Sequence, residues 1–225
     1  MLYCCGLFFI YSCNLHAKKE QASLVNSIDD IQHAQSYQTA CKRIDSLKQF
    51  IRSGDLITRT GNDFTSESLK QLNRRDKRFS HCGIASIEHD TVFVYHALGG
   101  EFNPDQKILR EPIQSFGYPL SNNALGVFRY KLTGTENSHL LKTVKQLYFI
   151  GIPFDMKFDL KTDSSMYCAE FVYKALLLGT HGRLNFNISK INQFSFIGVD
   201  DLFLQSQCNE IGTVHLKKQE SEKIN

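Results

Sequence analysis

Between residues 20 and 52 the apolar positions fall at helical spacing: Leu24, Ile28 and Ile31, then Ile44, Leu47 and Ile51. The residues between them are polar. This predicts one or two amphipathic helices ending before Ser53-Gly54. From Asp55 the texture changes. Leu56–Thr60, His81–Glu88, Thr91–Leu98 and Gly126–Leu132 are rich in β-branched and aromatic residues, bounded by Gly, Asn and Asp, and predict short strands. The polar stretch Asn62–Arg78 predicts a helix over Ser66–Asn73. Leu140–Ile150 predicts a helix stopped by Gly151-Ile152-Pro153, and Tyr167–Leu178 one stopped by Gly179. A short helix near Asp200–Gln205 and a strand at Ile211–Leu216 follow.

Length then sets the scale. At 225 residues the chain predicts one catalytic domain, over 20–216, with appendages at either end. The charged tail, 217–225, is expected to be disordered. A net charge of +3 is too small to argue for a nucleic-acid partner. Seven cysteines with no CxxC spacing make neither a disulfide scaffold nor a zinc knuckle. Leu2–Ser12 is apolar and too short to span a bilayer as a helix. It resembles the apolar part of a secretory signal, although no Lys or Arg precedes it. Ile10-Tyr11-Ser12-Cys13 resembles a bacterial lipobox. The expectation for residues 1–19 is export to the cell envelope, periplasmic or membrane-anchored through a lipid on Cys13, with an ordinary cleaved signal as the alternative.

The segment richest in chemistry is Met166-Tyr167-Cys168-Ala169-Glu170-Phe171-Val172. Asp163, Ser164 and Ser165 are good N-cap residues, which puts Cys168 in the first helical turn. Cys168, Phe171, Val172, Ala175 and Leu176 share one buried face, while Glu170 and Lys174 lie i, i+4 on another. A thiolate at a helix N-terminus is stabilised by the dipole and by unpaired N–H groups, which also suit a developing oxyanion. A cysteine on an apolar helix face is more often a small core residue, so the segment alone does not decide.

A nucleophilic cysteine needs a base, and the base an orienting partner. His89-Asp90 reads as a two-residue turn between the strands that carry His81 and His96. Glu88 then pairs with Thr91, and His96 lies opposite Gly83, one diagonal step from His81 on the same face. Two imidazoles so placed can serve as base and orienter. The ordinary reading of each alone is a hydrogen-bonded strand residue.

Gly54-Asp55-Leu56-Ile57, Ser80-His81-Cys82-Gly83-Ile84, His96-Ala97, Gly151-Ile152-Pro153-Phe154-Asp155 and Tyr167-Cys168-Ala169-Glu170-Phe171-Val172, in this order, resemble the circularly permuted NlpC/P60 cysteine hydrolases of the YiiX/YebB type. The resemblance runs from about Ser53 to Leu216. It implies an α+β, permuted papain-like core with a small antiparallel sheet packed on the nucleophile helix. It also implies Cys168 as nucleophile, His81 as base and His96 as third residue, where the family usually has Glu. A His there resembles the lecithin:retinol acyltransferase-like enzymes, and it carries no fixed negative charge. Glu101 is the fallback orienter, Asp55 is expected to be structural, and Tyr167 to line the site. The implied chemistry is a thiolate–imidazolium pair attacking an amide or ester carbonyl. No cofactor is called for.

Two other classes compete. A zinc site could draw on His81, Cys82, His96 and Cys168, but His81 and Cys82 are adjacent in a strand and point to opposite faces. A lipid- or cell-wall-binding module could keep the fold without the chemistry. Asp155, Asp159 and Asp163 lack the Gly and terminal Glu of a calcium loop. Whether the substrate is a small molecule, a cell-wall peptide or an acylated lipid stays open.

Overall fold

The computed structural model describes residues 30–100, 102–191 and 194–217. The export segment with Cys13, the fallback Glu101 and the tail from 218 lie outside them. The chain divides into Met1–Thr39 and Ala40–Asn225. In the first unit the described residues are helical. That helix, α1, runs over 30–48, and its later part lies in the second unit. Everything below concerns the second unit.

Its centre is a six-stranded antiparallel sheet. The strands are β1 (Leu56–Gly61), β2 (His81–Glu88), β3 (Thr91–His96), β4 (Leu109–Pro112), β5 (Asn122–Tyr130) and, beyond a separate hairpin, β8 (Cys208–His215), in the order β4-β3-β2-β1-β5-β8. The separate hairpin is β6 (Ser189–Ile191) and β7 (Phe194–Phe196). Helices α2 (Phe64–Lys70), α3 (Ile113–Phe116), α4 (Gly134–Ile150), α5 (Cys168–Gly179) and α6 (Val199–Phe203) complete the fold. The expected α+β architecture is present.

Strand alternation splits the core in two. One face sends Leu56, Cys82, Ile84, Tyr95 and Phe128 against Cys168, Phe171, Val172, Ala175 and Leu176 of α5 and Leu140 and Val144 of α4. The other sends Ile57, Ala85, Val94, Leu125 and Val127 against Ile113, Phe116 and Ala40, Ile44 and Leu47 of α1. Both faces are covered, so the central strands read as near-continuous apolar runs.

The β2–β3 turn forms as expected: His89 and Asp90 have φ of 47° and 62°, and Glu88 pairs with Thr91. That is the left-handed pair a two-residue turn requires. Helix α4 begins at Gly134, not near Leu140, because Thr133 caps it. Its hydroxyl accepts from Glu136 N at 3.2 Å, and Glu136 Oε2 accepts from Thr133 N at 2.8 Å. Helix α5 begins at Cys168, and Asp163, Ser164 and Ser165 are not its cap. Tyr167 is, and Glu170 Oε2 accepts its N–H at 3.3 Å. Asp55 is structural: Arg129 grips both of its oxygens at 2.7 Å, and Oδ2 also accepts Arg52 N.

Candidate active site

Strand register assembles a polar row on the α3 side of the sheet. Arg59 on β1 pairs with His81, the first residue of β2. Gly83 follows two residues later on the same face. A Cβ there would lie 2.9 Å from His96 Cβ and 2.5 Å from Tyr95 O, so only glycine leaves His96 its place. His81 Nε2 and His96 Nδ1 are 2.8 Å apart. His96 Nε2 lies 2.9 Å from Glu111 Oε2 on β4. Phe116 packs against both rings at centroid distances of 5.7 and 5.0 Å, and both histidines are buried. Arg59 stacks on the same Phe116 ring at 4.9 Å and donates to Phe116 O and Asn122 Oδ1. Its buried Nε has no hydrogen-bond partner.

This row fixes the protons. An ionised carboxylate only accepts, and the bond from His96 holds Glu111 below its ordinary value. His96 must therefore carry its proton on Nε2 and accept at Nδ1. His81 must donate from Nε2, which leaves its Nδ1 as a bare lone pair. That is the tautomer of a base. The fixed negative charge that His96 lacks sits one residue further along.

Cys168 opens α5 and lies against Cys82 at the beginning of β2. Its thiol is held below its ordinary value, first by the thiol of Cys82 and then by the backbone N–H groups of Cys82 and Ala169 and by the charge of Arg59, against burial. Cys82 moves the opposite way, pushed up by burial and by Cys168. Of the two thiols, Cys168 is the one favoured as thiolate. The N–H of Ala169 is the helix-terminal donor that the sequence foresaw, whereas Cys82 as direct partner was not foreseen. Cys41, Cys82, Cys168 and Cys208 are all free thiols.

The structure brings His81 and His96 together and sets Cys168 against the residue that follows His81. Among the described residues no hydrogen bond joins Cys168 to His81. Burial, then Arg59 and then His96 hold His81 well below its ordinary value, so its resting form is neutral imidazole. Burial and Arg59 thus oppose the imidazolium half of the expected thiolate–imidazolium pair. Cys82 points to the face opposite His81 and His96, and among the described residues no three His, Cys, Asp or Glu converge as metal ligands. Asp155 accepts Lys157 N and Asp159 N and so shapes a loop.

A family model described as permuted papain-like amidase enzyme, YaeF/YiiX, C92 family, matches residues 49–193. The crystal structure of metalloprotein yiiX from Escherichia coli O157:H7 superposes with a TM-score of 0.59 at 18% identity, over 72% of this chain and 97% of that one. It shares the fold. No curated protein matches.

Proposed function

Because the chain belongs to the permuted papain-like amidases of the YaeF/YiiX C92 family, we propose that it cleaves or transfers an acyl group held in an amide or ester bond, with Cys168 as nucleophile. His81 Nδ1 takes the thiol proton. The thiolate attacks the carbonyl, and first-turn N–H groups of α5 receive the oxyanion. His81, protonated in the transition state and backed by His96 and Glu111, passes its proton to the leaving amine or alcohol. Water or another acceptor then releases the acyl group from Cys168. The observation that carries this reading is the relay Glu111–His96–His81, ordered by two hydrogen bonds of 2.9 and 2.8 Å so that the base lone pair is free. A module that only bound its ligand would have no use for that order.

The test is formation of an acyl adduct on Cys168, followed by intact mass, with turnover measured alongside. Cys168→Ala and His81→Ala should each abolish turnover while keeping the wild-type thermal transition. His96→Ala should weaken it less. Undiminished turnover in Cys168→Ala would return the protein to the binding-module class. Export and a lipid on Cys13 remain part of the proposal, resting on the N-terminal sequence. A fatty-acid label retained by wild type and by Cys13→Ala alike would remove the lipid anchor.

A further inference from the structure

Cys82 takes no part in the proposed acyl transfer, yet it is the side chain that the nucleophile meets. On β2 it alternates with His81 and turns to the α5 face of the sheet, inside the core that α5 closes. There the Cys168 thiol meets both the thiol and the N–H of Cys82, together with the N–H of Ala169. Both cysteines are free thiols. A buried free cysteine is ordinarily a small core residue. What sets Cys82 apart is its place against a second thiol that the solvent can reach. Cys168 is 6% exposed and Cys82 0%. Cys168 also borders a pocket of about 30 Å³, close to the ~30 Å³ share of one water molecule in the liquid, and the exposed Leu72 forms part of its wall. A small oxidant therefore meets Cys168 first, with Cys82 waiting behind it.

We infer that Cys168 and Cys82 form an oxidation site, at which a hydroperoxide converts Cys168 to a sulfenic acid and Cys82 closes it to a reversible disulfide. The inference rests on the reading of Cys168 as a reactive thiolate, and not on the bond that this thiolate attacks in a substrate. In the first step the Cys168 sulfur attacks one peroxide oxygen. An S–O bond forms, the O–O bond breaks and hydroxide leaves, so the sulfur is oxidised by two electrons and the peroxide is reduced. In the second step the Cys82 sulfur attacks the Cys168 sulfur. An S–S bond forms, the S–O bond breaks, and the Cys82 proton leaves with the hydroxyl as water. A thiol already in contact needs no diffusional encounter, so this step outruns further oxidation of the sulfenic acid. The disulfide takes the nucleophile out of use and shields it from irreversible oxidation. A dithiol restores both thiols and is itself oxidised to a disulfide.

Peptide mapping of the full chain after graded hydrogen peroxide tests this. Trypsin places Cys82 in the peptide 79–107 and Cys168 in 162–174. The expected product is these two peptides linked, lighter than the separate thiols by two hydrogens. It should rise as alkylation of Cys168 falls at least tenfold, and dithiothreitol should reverse both. In Cys82→Ala, once its thermal transition is shown to be intact, the same treatment should carry Cys168 on to the sulfinic acid, with no recovery in dithiothreitol. Should that variant not fold, the wild-type map decides by itself. Sulfinic acid on wild-type Cys168 without the linked peptides overturns the inference and leaves the cysteine chemistry standing. Loss of two hydrogens within 162–174 alone means a sulfenamide on a backbone nitrogen, and overturns the part given to Cys82. A Cys168 that neither peroxide nor the alkylating reagent modifies overturns the reactive thiolate, and the proposed function with it.

Discussion

Glu111→Gln isolates the charge at the end of the relay. Two hydrogen bonds, 2.9 and 2.8 Å, and one imidazole ring separate the carboxylate from His81. At roughly 8 Å and an effective dielectric of about 20, its attraction for a protonated His81 is about 2 kcal/mol. The Glu111 side chain is 35% exposed, so solvent screening brings this nearer 1 kcal/mol. The charge matters only when His81 carries a proton, in the transition state, so the loss falls on kcat. A five- to thirtyfold decrease in kcat at neutral pH is expected, with little change in KM. Glutamine adds a second effect. Its amide can donate to His96 Nε2, which reverses both tautomers and places a proton on His81 Nδ1. The assay is steady-state hydrolysis of an activated ester from pH 5 to 9, with Cys168 alkylation measured in parallel. Alkylation does not need His81 protonated, so it should fall far less than turnover. A Glu111→Gln enzyme within twofold of wild type in kcat would refute the relay.

Three further perturbations probe the supports of the site. Gly83→Ala forces a Cβ to within 2.5 Å of Tyr95 O and 2.9 Å of His96 Cβ, so it should cost about 1–3 kcal/mol by urea unfolding and lower activity more than stability. Arg59 favours the Cys168 thiolate and opposes protonation of His81. The pH midpoint of Cys168 alkylation should therefore move up in Arg59→Gln and recover in Arg59→Lys, and an unmoved midpoint in Arg59→Gln would remove Arg59 from the account. Glu170 is buried and its carboxyl is pushed up to about 7 from 4.5, chiefly by burial and despite Lys174. Between those values the folded protein keeps a proton that the unfolded chain has lost, so stability falls as pH rises from about 4.5 to about 7, by at most about 3 kcal/mol. Urea unfolding at pH 5 and pH 7 should show this loss in wild type and not in Glu170→Gln.

Most of what positions the histidines was legible because it is local. The two-residue turn at His89-Asp90 sets the register, and the register alone puts His81 and His96 on one face. Helix α5 was legible from its apolar spacing, but not its cap. Residues 163–165 have the right chemistry and the wrong place, and Glu170 supplies the bond from inside the helix. Two elements escaped for a shared reason. Strand β4 is Leu-Arg-Glu-Pro, an edge strand without alternation. Helix α3 is four residues long and is held by burial of Ile113 and Phe116. Neither has a period that a sequence can show, and each supplies a part of the site.

Glu111 is the consequence. Its register partner is Val94, two residues before His96, so it shares the histidine face. Nothing near it in sequence announces that, since twelve residues, 97–108, separate the end of β3 from the start of β4. The sequence therefore offers Glu101, close to His96, as the acidic orienter, while the sheet brings the charge from the next strand. The difference bears on chemistry. With His96 alone, either tautomer of each ring would be equally served and His81 would be a base only part of the time. A carboxylate at the far end breaks that symmetry, because it can only accept. On the proposed mechanism the fixed charge expected at the third position stands fourth, and the extra imidazole transmits its direction while burial and Arg59 oppose protonation of His81. A third-position histidine in this fold thus predicts an acidic residue on the strand beyond it, facing the same way.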